Sequence, residues 1–478
     1  MEPTEITNAT DTICAISTAP GVGGIAVARI SGPQAIAVAD AVFSGRNRLA
    51  DTPGATARFG TVSDSEGRPL DQAVATVFRA PHSYTGEDTV ELSVHGSRYV
   101  QRELLASLQK AGARMAEAGE FTRRAFTSGK MDLAEAEAVA DVIASNSRAA
   151  HRIALNQMRG GVSQRLAALR AALLDLSSLM ELELDFSEEE VEFASREKLL
   201  EIARGIKTET TRLASTFRAG AAIREGIPVA IVGATNAGKS SLLNALLGDN
   251  RAIVSNIHGT TRDTVEELMP LGDYIFRFID TAGLRHTSDT IETIGITRSY
   301  EAASRAQIIL AVTDPTQPLS RTALNDLTDH IKHSETSLTK DEPAIIALIN
   351  KTDIASADDI SQTETYITSH LPATPVLTIS TVSGEGLDNL RQQLTATAER
   401  TCGNASEDTL ITNARHARAL QDATASTTRI IDGLQSGLSG DFIAQDIRET
   451  LHHLGTITGA ITTPEILSTV FSRFCIGK

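Results

Sequence analysis

An apolar run that ends in a glycine-rich loop is the feature that most constrains how this chain folds. The run PVAIVGA, residues 228–234, leads into a loop of the pattern G-x-x-x-x-G-K-[ST], from Gly233 to Ser240, and then into SSLLNALLG, which has the pattern of a helix. Glycines let backbone N–H groups surround phosphate oxygens, and the helix N-terminus adds partial positive charge. Lys239 is expected to reach the β and γ phosphates, and the Ser240 hydroxyl to bind Mg²⁺. The sequence therefore predicts a nucleotide site on a strand–loop–helix unit.

Three more motifs follow in order, each after an apolar run. They are Asp280-Thr281-Ala282-Gly283, Asn350-Lys351-Thr352-Asp353 and Ser380-Thr381-Val382. Asp280 can hold Mg²⁺ through water, and the Gly283 N–H can contact the γ phosphate. The Asp353 carboxylate can accept from the ring and exocyclic N–H groups of guanine, a donor pair that adenine lacks. Because ligands bind at the carboxyl ends of strands in open α/β sheets, the four motifs together predict a GTP site.

The segment AIVSNIHGTTRD, residues 252–263, lies between the first two motifs. Thr261 is the natural second hydroxyl ligand of Mg²⁺ in a switch that orders on γ-phosphate contact. The residues expected to contact GTP are Asn236, Ala237, Gly238, Lys239, Ser240, Ser241, Ser255, Asn256, Ile257, His258, Gly259, Thr260, Thr261, Asp280, Thr281, Ala282, Gly283, Asn350, Lys351, Asp353, Ser380, Thr381 and Val382.

With these motifs the domain resembles the translation-factor-type GTPases such as the Era and Der relatives. Leu284 follows the second motif, where Ras-type enzymes carry a glutamine, and leucine cannot orient water, so another group must. Relatives with an asparagine in the loop and a long switch hold potassium near the phosphates, where a cation neutralises developing charge. The potassium ligands implied by this resemblance are Asn236, Ser255, Ile257 and Thr260. Asn236 alone could instead hydrogen-bond the switch backbone.

The rest of the chain shows two further sequence patterns, one β-like and one helical. Residues 1–130 mix β-like runs such as GIAVARISG and DTVELSVHG with glycine and proline, whereas 131–225 and 404–478 read as helix. In the helical parts, Asp132 with Glu135 has the spacing of a capping box, and Thr463 before Pro464 predicts another helix start. An apolar seam with spacings of three and four residues predicts helix packing, and its members are Leu166, Leu169, Leu173, Leu176 and Met180. The βα repeat of 226–403 predicts a mostly parallel sheet covered on both faces. The predicted fold is therefore multidomain: an N-terminal α+β domain (1–130) and a helical bundle (131–225 and 404–478) interrupted by a doubly wound α/β domain (226–403).

Composition excludes several classes of protein. Three scattered cysteines are too few for a disulfide framework and fit a reducing compartment. The sequence contains no run of 18 apolar residues that could span a membrane. The start MEPTEITNATDT lacks the features of a signal peptide, so we expect a cytoplasmic protein. A net charge of −16 argues against a protein that binds nucleic acid over its bulk surface.

The whole chain resembles the MnmE (TrmE) family of tRNA-modifying GTPases. The resemblance rests on the order of the β-like, helical and βα patterns along the chain and on the sequences TTRD, DTAGLR, IETIGI and the terminal FCIGK. It extends to Pro20–Gly24, Arg29–Gly32, Tyr84–Asp88, Gly119–Thr122 and Lys130–Leu133.

This resemblance implies a chemistry and a set of partners. The family works with an FAD-bearing protein, MnmG (GidA), in a heterotetramer and adds a carboxymethylaminomethyl or aminomethyl group at C5 of the wobble uridine of certain tRNAs. A reduced folate, 5,10-methylene- or 5-formyl-tetrahydrofolate, supplies the one-carbon unit, and the N-terminal domain, which is similar to folate-binding domains, makes the protein a homodimer. The implied folate contacts are Arg29, Glu91, Lys130 and Lys478. Glu292 is similar to the family glutamate that positions water, Arg262 would order the switch, and Cys475 is the candidate for thiol chemistry.

The residues alone leave alternatives open. Arg29 and Lys130 can anchor folate carboxylates, but lone basic residues are usually solvated surface. Cys475 could be a plain buried thiol, and Glu292 a surface charge on a helix. A GTP-dependent switch in ribosome assembly without one-carbon chemistry is the alternative function, and a free-standing folate-dependent aminomethyltransferase is disfavoured because the GTPase domain would be idle.

Overall fold

The computed structural model describes residues 11–185, 196–248, 266–279, 302–317, 343–402, 409–472 and 474–478. The chain divides into two compact units. Unit 1 consists of Met1–Ala140, Gln157–Lys207 and Asp422–Lys478, and unit 2 of Asp141–Asn156 and Thr208–Gln421. The division does not test the three-domain boundaries expected from the sequence, which stay a prediction.

The strands of the described residues form two sheets. The strands of unit 1 are β1 (Ile13–Ile16), β2 (Gly23–Ser31), β3 (Phe43–Gly45), β4 (Thr56–Ser63), β5 (Pro69–Phe78), β6 (Thr89–Gly96) and β7 (Arg114–Met115). The strands of unit 2 are β8 (Ile227–Gly233), β9 (Glu267–Leu271), β10 (Tyr274–Phe278), β11 (Ile308–Thr313), β12 (Ala344–Ile349) and β13 (Val376–Thr378).

The helices with described bounds are named in chain order. They are α1 (Ala35–Val42), α2 (Arg98–Lys110), α3 (Glu120–Thr127), α4 (Leu133–Ala144), α5 (Arg148–Met158), α6 (Gly161–Asp185), α7 (Arg196–Ser215), α8 (Phe217–Glu225), α9 (Lys239–Leu247), α10 (Ala357–His370), α11 (Leu387–Cys402), α12 (Ala414–Ser436), α13 (Gly440–Thr458) and α14 (Pro464–Phe471). None of these helices is both long enough and apolar enough to cross a membrane.

The sheet of unit 1 has the strand order β3-β4-β5-β6-β2-β1-β7 and is antiparallel except where β1 meets β7. Alternate residues of β2, β5 and β6 point into one core, which α1 and α2 cover with side chains such as Leu104 and Leu108. The opposite positions are more exposed, as expected of an antiparallel sheet with one covered face. The sequence did not predict strand β4. Its Gly60 allows the close approach of Phe43, because the Phe43 ring occupies the space that a Cβ at position 60 would need.

The helical part of unit 1 follows three sequence expectations. Asp132 and Glu135 form a reciprocal capping box before α4, with two bonds of 2.8 Å. The predicted seam on α6 is buried throughout, and its members are Leu166, Leu169, Leu173, Leu176 and Met180. Thr463 caps α14, with Pro464 in the first turn. These local predictions are confirmed.

The sheet of unit 2 has the order β13-β12-β11-β8-β10-β9. All its pairs are parallel except β9 with β10 at one edge. Successive residues of β8 enter different cores, since Val229 and Ile231 belong to one and Ala230 and Val232 to the other. Burial on both faces explains why β8 and β11 read as continuous apolar runs. The predicted combination of α+β sheet, helices and doubly wound α/β sheet is confirmed.

Candidate functional site

The carboxyl ends of four parallel strands of unit 2 lie along one edge of the sheet. Strand β8 leads into the loop before Lys239, β11 into Asp314, β12 into Asn350, and β13 into Ser380. The parallel register places these ends side by side. This edge is where ligands bind in open α/β sheets.

Two glycines of the loop after β8 are required by the backbone. Gly233 has φ +152 and Gly238 has φ +98. A Cβ on Gly233 would collide with the Val312 carbonyl oxygen, and one on Gly238 with the Asn350 side-chain nitrogen. A side chain at Gly233 would therefore push β8 away from β11, and one at Gly238 would displace the buried Asn350 side chain. Packing as well as conformation thus requires glycine at both positions of the predicted phosphate loop.

Lys239, the first residue of α9, turns back over this loop. Its Nζ donates to the carbonyl oxygens of Gly233 at 2.8 Å and Ala234 at 2.9 Å. Burial lowers the pKa of Lys239 from its usual value of 10.5. An ammonium group held at the loop by two neutral acceptors can instead bind phosphate oxygens, whose negative charge favours the cation more strongly.

Asn350 joins the phosphate loop to the segment after β13. The side chain is fully buried. Its Nδ2 donates to the Ala237 carbonyl at 2.8 Å, and its Oδ1 accepts from the Thr381 backbone N–H at 3.3 Å. One residue thereby fixes the spacing between the loop expected to hold phosphates and the loop expected to meet the base.

Asp353 and Ser380 are held together at the side of the site expected to bind the base. The buried Ser380 hydroxyl donates to Asp353 Oδ1 at 2.7 Å and accepts from the Ser383 N–H at 3.2 Å. Oδ1 is thus engaged, and the carboxylate is oriented by its neighbour. Val382 is 84% exposed at the end of this segment.

Asp314 is a member of this edge that no motif indicated. Its Oδ2 accepts from Lys351 Nζ at 2.8 Å, and its side chain is 1% exposed. Burial by itself raises the pKa of Asp314, but hydrogen bonds from Lys351 and Thr316 lower it, and the pKa lies below its usual value of 3.8. The carboxylate is therefore charged at neutral pH. A lone aspartate after an apolar strand gave no signal, because its partner lies far along the chain.

For the other residues expected to contact the nucleotide, we describe only exposure and backbone conformation. Asn236 is exposed at the top of the loop with φ +62, Ser240 is half-buried in the first turn of α9, and Ser241 is exposed. Thirteen residues of the expected site lie outside the described residues: Ser255, Asn256, Ile257, His258, Gly259, Thr260, Thr261, Arg262, Asp280, Thr281, Ala282, Gly283 and Glu292.

A second constellation lies in unit 1, on the less covered face of its sheet. Arg29 of β2 stands opposite Glu91 of β6, and its Nε donates to Glu91 Oε1 at 2.9 Å. The guanidinium carbon lies 5.2 Å from the centre of the Tyr84 ring and 5.6 Å from that of Phe121. A cation, a carboxylate and two aromatic rings thus share one location.

The terminal segment runs beside this location. Ile476 bridges to Ala118, and the Lys478 carbonyl accepts from the Phe121 N–H at 3.2 Å. Burial lowers the pKa of Lys478, as does the charge of Arg29, while Cys475 and Glu91 act in the opposite direction. The charges of Arg29 and Glu91 therefore both act on the Lys478 ammonium group.

Lys130 and Cys475 differ from each other in setting. Lys130 is exposed, and no hydrogen bond or ion pair joins its side chain to any residue in the described ranges. Cys475 is exposed, whereas Cys14 and Cys402 are buried and burial raises the pKa of their thiols to about 11 and about 12. The expectation that Cys475 could be a buried thiol is wrong, and it is the accessible cysteine of the three.

A buried ion-pair cluster supports this second constellation, and no sequence argument indicated it. Glu120, 1% exposed, accepts from Arg114 at 2.7 Å and from Arg124 at 3.0 Å. Arg124 also contacts Asp11 at 2.6 Å and Glu87 at 3.2 Å. The cluster ties the Tyr84–Asp88 and Gly119–Thr122 motifs together, and these motifs carry the Tyr84 and Phe121 rings.

Comparison with known proteins gives matches over nearly the whole chain. A family model described as GTP-binding protein TrmE N-terminus matches residues 12–130, and one described as MnmE helical domain matches residues 133–475. The tRNA modification GTPase MnmE of Porphyromonas gingivalis is 47% identical and covers 98% of each chain. Those of Parabacteroides distasonis and Cytophaga hutchinsonii are 47% and 42% identical, over 98% and 100% of this chain and 100% of each relative.

A solved structure of Era in complex with MgGDPNP and a segment of 16S ribosomal RNA also matches. It is 26% identical, covers 36% of this chain and 57% of that chain, and has a TM-score of 0.27. That score is too low for the likeness to carry an argument.

Proposed function

The chain belongs to the MnmE family of tRNA modification GTPases, and we propose that its GTP hydrolysis drives the addition of a carboxymethylaminomethyl or aminomethyl group at C5 of the wobble uridine of certain tRNAs. The reaction uses a reduced folate as one-carbon donor and an FAD-dependent MnmG-type partner in a heterotetramer. The observation that carries the GTP site is the position of Asn350, whose buried side chain links the loop before Lys239 to the segment after Ser380.

The nucleotide is proposed to bind along the sheet edge of unit 2. Its phosphates are proposed to contact the loop and Lys239, whose Nζ is held at the loop by the carbonyls of Gly233 and Ala234, and its base is proposed to contact Asp353. The hydrogen bond from Ser380 to Asp353 Oδ1 holds the carboxylate in place, and the carboxylate keeps acceptor capacity for a pair of N–H donors. This arrangement supports recognition of guanine, which presents that pair.

Two metal ions are proposed to assist hydrolysis. The hydroxyls of Ser240 and Thr261 suit Mg²⁺, which prefers oxygen ligands. The amide oxygen of Asn236, with Ser255, Ile257 and Thr260, suits potassium, and the exposed position of Asn236 at the top of the loop supports this assignment. A bound monovalent cation supplies positive charge where negative charge develops. Glu292 is proposed to orient the water, because Leu284 cannot, and Arg262 to order the switch.

Potassium dependence is tested by steady-state GTP turnover in matched potassium and sodium buffers. We expect faster turnover in potassium, and Asn236→Ala is expected to remove the difference while Asn389→Ala, an exposed position on α11, keeps it. Equal wild-type rates in the two buffers would exclude potassium from the mechanism.

Folate is proposed to bind around Arg29 in unit 1. Arg29 and Lys478 supply positive charge for the glutamyl carboxylates, and Glu91 can accept from N–H groups of the pterin ring. The partly exposed Tyr84 ring, which packs against the fully buried Phe121, offers apolar surface. Lys130 is exposed on the same unit and is proposed to reach the carboxylate tail. The exposed thiol of Cys475 lies within the same terminal segment, which supports its role at the modification step.

Folate binding is tested on the full chain by calorimetry with 5-formyl-tetrahydrofolate. Arg29→Ala and Glu91→Gln are each expected to weaken binding about tenfold or more, since each removes a charged hydrogen-bonding partner. Arg102→Ala is the matched control, because Arg102 is 73% exposed and pairs with its neighbour Glu103. Absence of measurable folate binding by the wild-type protein at saturating concentration would contradict the one-carbon part of the proposal.

A homodimer in the cytoplasm is the proposed assembly. The less covered face of the sheet in unit 1 carries exposed apolar side chains: Phe59 at 67% and, opposite it on β5, Val74 at 38%. Exposed apolar surface of this kind supports association. Phe59→Asp is expected to shift the molar mass measured by light scattering toward that of a monomer, while an unchanged mass would place the interface elsewhere.

The reaction as a whole is tested by nucleoside analysis of tRNA. Deletion of the gene is expected to remove the modified wobble uridine, and complementation with the wild-type chain, but not with Asp353→Asn, to restore it. Unaltered tRNA nucleosides together with accumulated ribosomal precursors would instead support the alternative, a GTP-dependent switch in ribosome assembly.

A further inference from the structure

Asp314 occupies a central place in the nucleotide edge without belonging to any of its motifs. It follows β11, which lies between β8, the strand before the phosphate loop, and β12, the strand before Asn350. The backbone N–H of Asn350 donates to the carbonyl of Thr313 at 2.9 Å, so the two strand ends are joined directly beside Asp314. With 1% exposure, its side chain faces the protein rather than solvent.

Both carboxylate oxygens of Asp314 are engaged in an ordered arrangement. Oδ1 accepts from the Thr316 backbone N–H at 3.0 Å and from the Thr316 hydroxyl at 2.6 Å. Oδ2 accepts from Lys351 Nζ at 2.8 Å. The turn formed with Thr316 fixes the carboxylate, and the fixed carboxylate in turn fixes the lysine.

Lys351 needs such a partner. Its backbone has φ +64, a left-handed conformation disfavoured for a residue with a Cβ. Its four-carbon stem is flexible and loses rotamer freedom when it is held in one place. Asn350 precedes it in the buried bridge to the phosphate loop, and Asp353 lies two residues beyond. An ion pair to a rigid carboxylate removes the freedom of this one side chain at the edge of the base site.

We propose that Asp314 is a positioning residue for the nucleotide base: by holding the Lys351 ammonium, it keeps the methylene stem of Lys351 in place as one wall of the base slot beside Asp353. Asp314 itself does not touch the nucleotide. The inference rests on the base site proposed above and adds to it a residue that sets the affinity for the purine without choosing among purines.

Three variants of the full chain test this role by calorimetry with GTP, ITP and XTP. Asp314→Asn keeps an oxygen for Thr316 and removes the charge that holds Lys351, Lys351→Met keeps the stem and removes the ammonium, and the third variant combines both. Each single change is expected to weaken all three nucleotides by the same factor, about five to tenfold, and the double variant to lose no more than the weaker-binding single variant. In GTP turnover measured over a range of concentrations, the loss is expected in KM rather than in kcat.

The matched control is Asp388→Asn, which removes a carboxylate that is 90% exposed and pairs with Arg391 at 2.8 Å. It is expected to leave all three affinities as in the wild type. Additive losses in the double variant, or a loss in kcat with KM unchanged, would overturn the positioning role. A loss in Lys351→Met with none in Asp314→Asn overturns this inference alone. Unchanged affinity in both Lys351→Met and Asp353→Asn overturns the base site itself, and the inference with it.

Discussion

Replacement of Asn350 by alanine is the most direct perturbation of the nucleotide edge. The change removes the donor to the Ala237 carbonyl, at 2.8 Å, and the acceptor of the Thr381 N–H, at 3.3 Å. The Ala237 carbonyl and the Thr381 N–H then have no hydrogen-bond partner at a position where the wild-type side chain is fully buried. A buried group left without a partner costs about 1–3 kcal/mol. Because the second bond is long, we expect the free energy of unfolding of unit 2 to fall by about 2–3 kcal/mol in total.

The same change is expected to weaken nucleotide binding. The loop before Lys239 and the segment after Ser380 no longer hold a fixed spacing, so binding must order them. If half of the stability loss reappears as this ordering cost, GDP and GTP affinity both fall about tenfold, since 1.4 kcal/mol corresponds to a factor of ten. Hydrogen exchange of the ligand-free protein is expected to quicken at the loop and at Thr381.

The assays are denaturant unfolding, calorimetry with GDP, and hydrogen exchange by mass spectrometry. Asn389→Ala is the matched control, because Asn389 is exposed on α11 of the same unit. An Asn350→Ala protein with the unfolding midpoint and GDP affinity of this control would refute the argument that the side chain bridges the two loops.

Three further predictions follow from individual carboxylates. Asp353→Asn is expected to weaken GTP at least tenfold and to admit XTP, because an amide presents a donor where the carboxylate accepts; unchanged base preference in competition binding would show that Asp353 does not read guanine. Glu292→Ala is expected to lower kcat with GTP affinity near normal, measured by turnover and calorimetry, and an equal loss of both would indicate a structural role. Glu120→Gln is expected to lower the free energy of unfolding of unit 1 at pH 7 by about 3 kcal/mol. Burial raises the pKa of Glu120, but Arg114 and Arg124 bring it below its usual 4.5. The stabilisation by this carboxylate is therefore present at neutral pH and is lost as pH falls below about 4.5. Denaturant unfolding from pH 7 to pH 3 should show a shallower acid dependence in the variant than in the wild type, and parallel curves would contradict the assignment.

The sequence predicted those parts of the molecule that depend on local pattern. The strands β8 and β11 were recognisable because both faces are buried, and the Asp132–Glu135 cap because its two partners are three residues apart. Strand β4 was missed, since Gly60 and a partly exposed alternation weaken its pattern. Local periodicity is therefore a sound guide to strands with a well-buried face and a poor one to a largely exposed strand such as β4.

The candidate sites divide in the same way. The phosphate loop and the Asn350 motif are contiguous in sequence and were found, although the bridge from Asn350 to Ala237 joins residues far apart in the chain. Asp314 and the cluster around Glu120 were not found, because each consists of single charged residues whose partners are brought together only by the fold. Sequence patterns reveal what a motif can bind, and long-range pairs decide how it is held.

Unit 1 is assembled from three separated stretches of chain, with the strands of the other sheet encoded between them. During synthesis β1 to β7 emerge early, yet the partner of α6, helix α13, and the segment that bridges to Ala118 emerge only after the whole intervening sheet. Closing so long a loop is slow compared with local folding. Helix α6 is therefore made long before its partner α13, and the apolar seam of α6 stays accessible to chaperones and to aggregation until α13 has been synthesised.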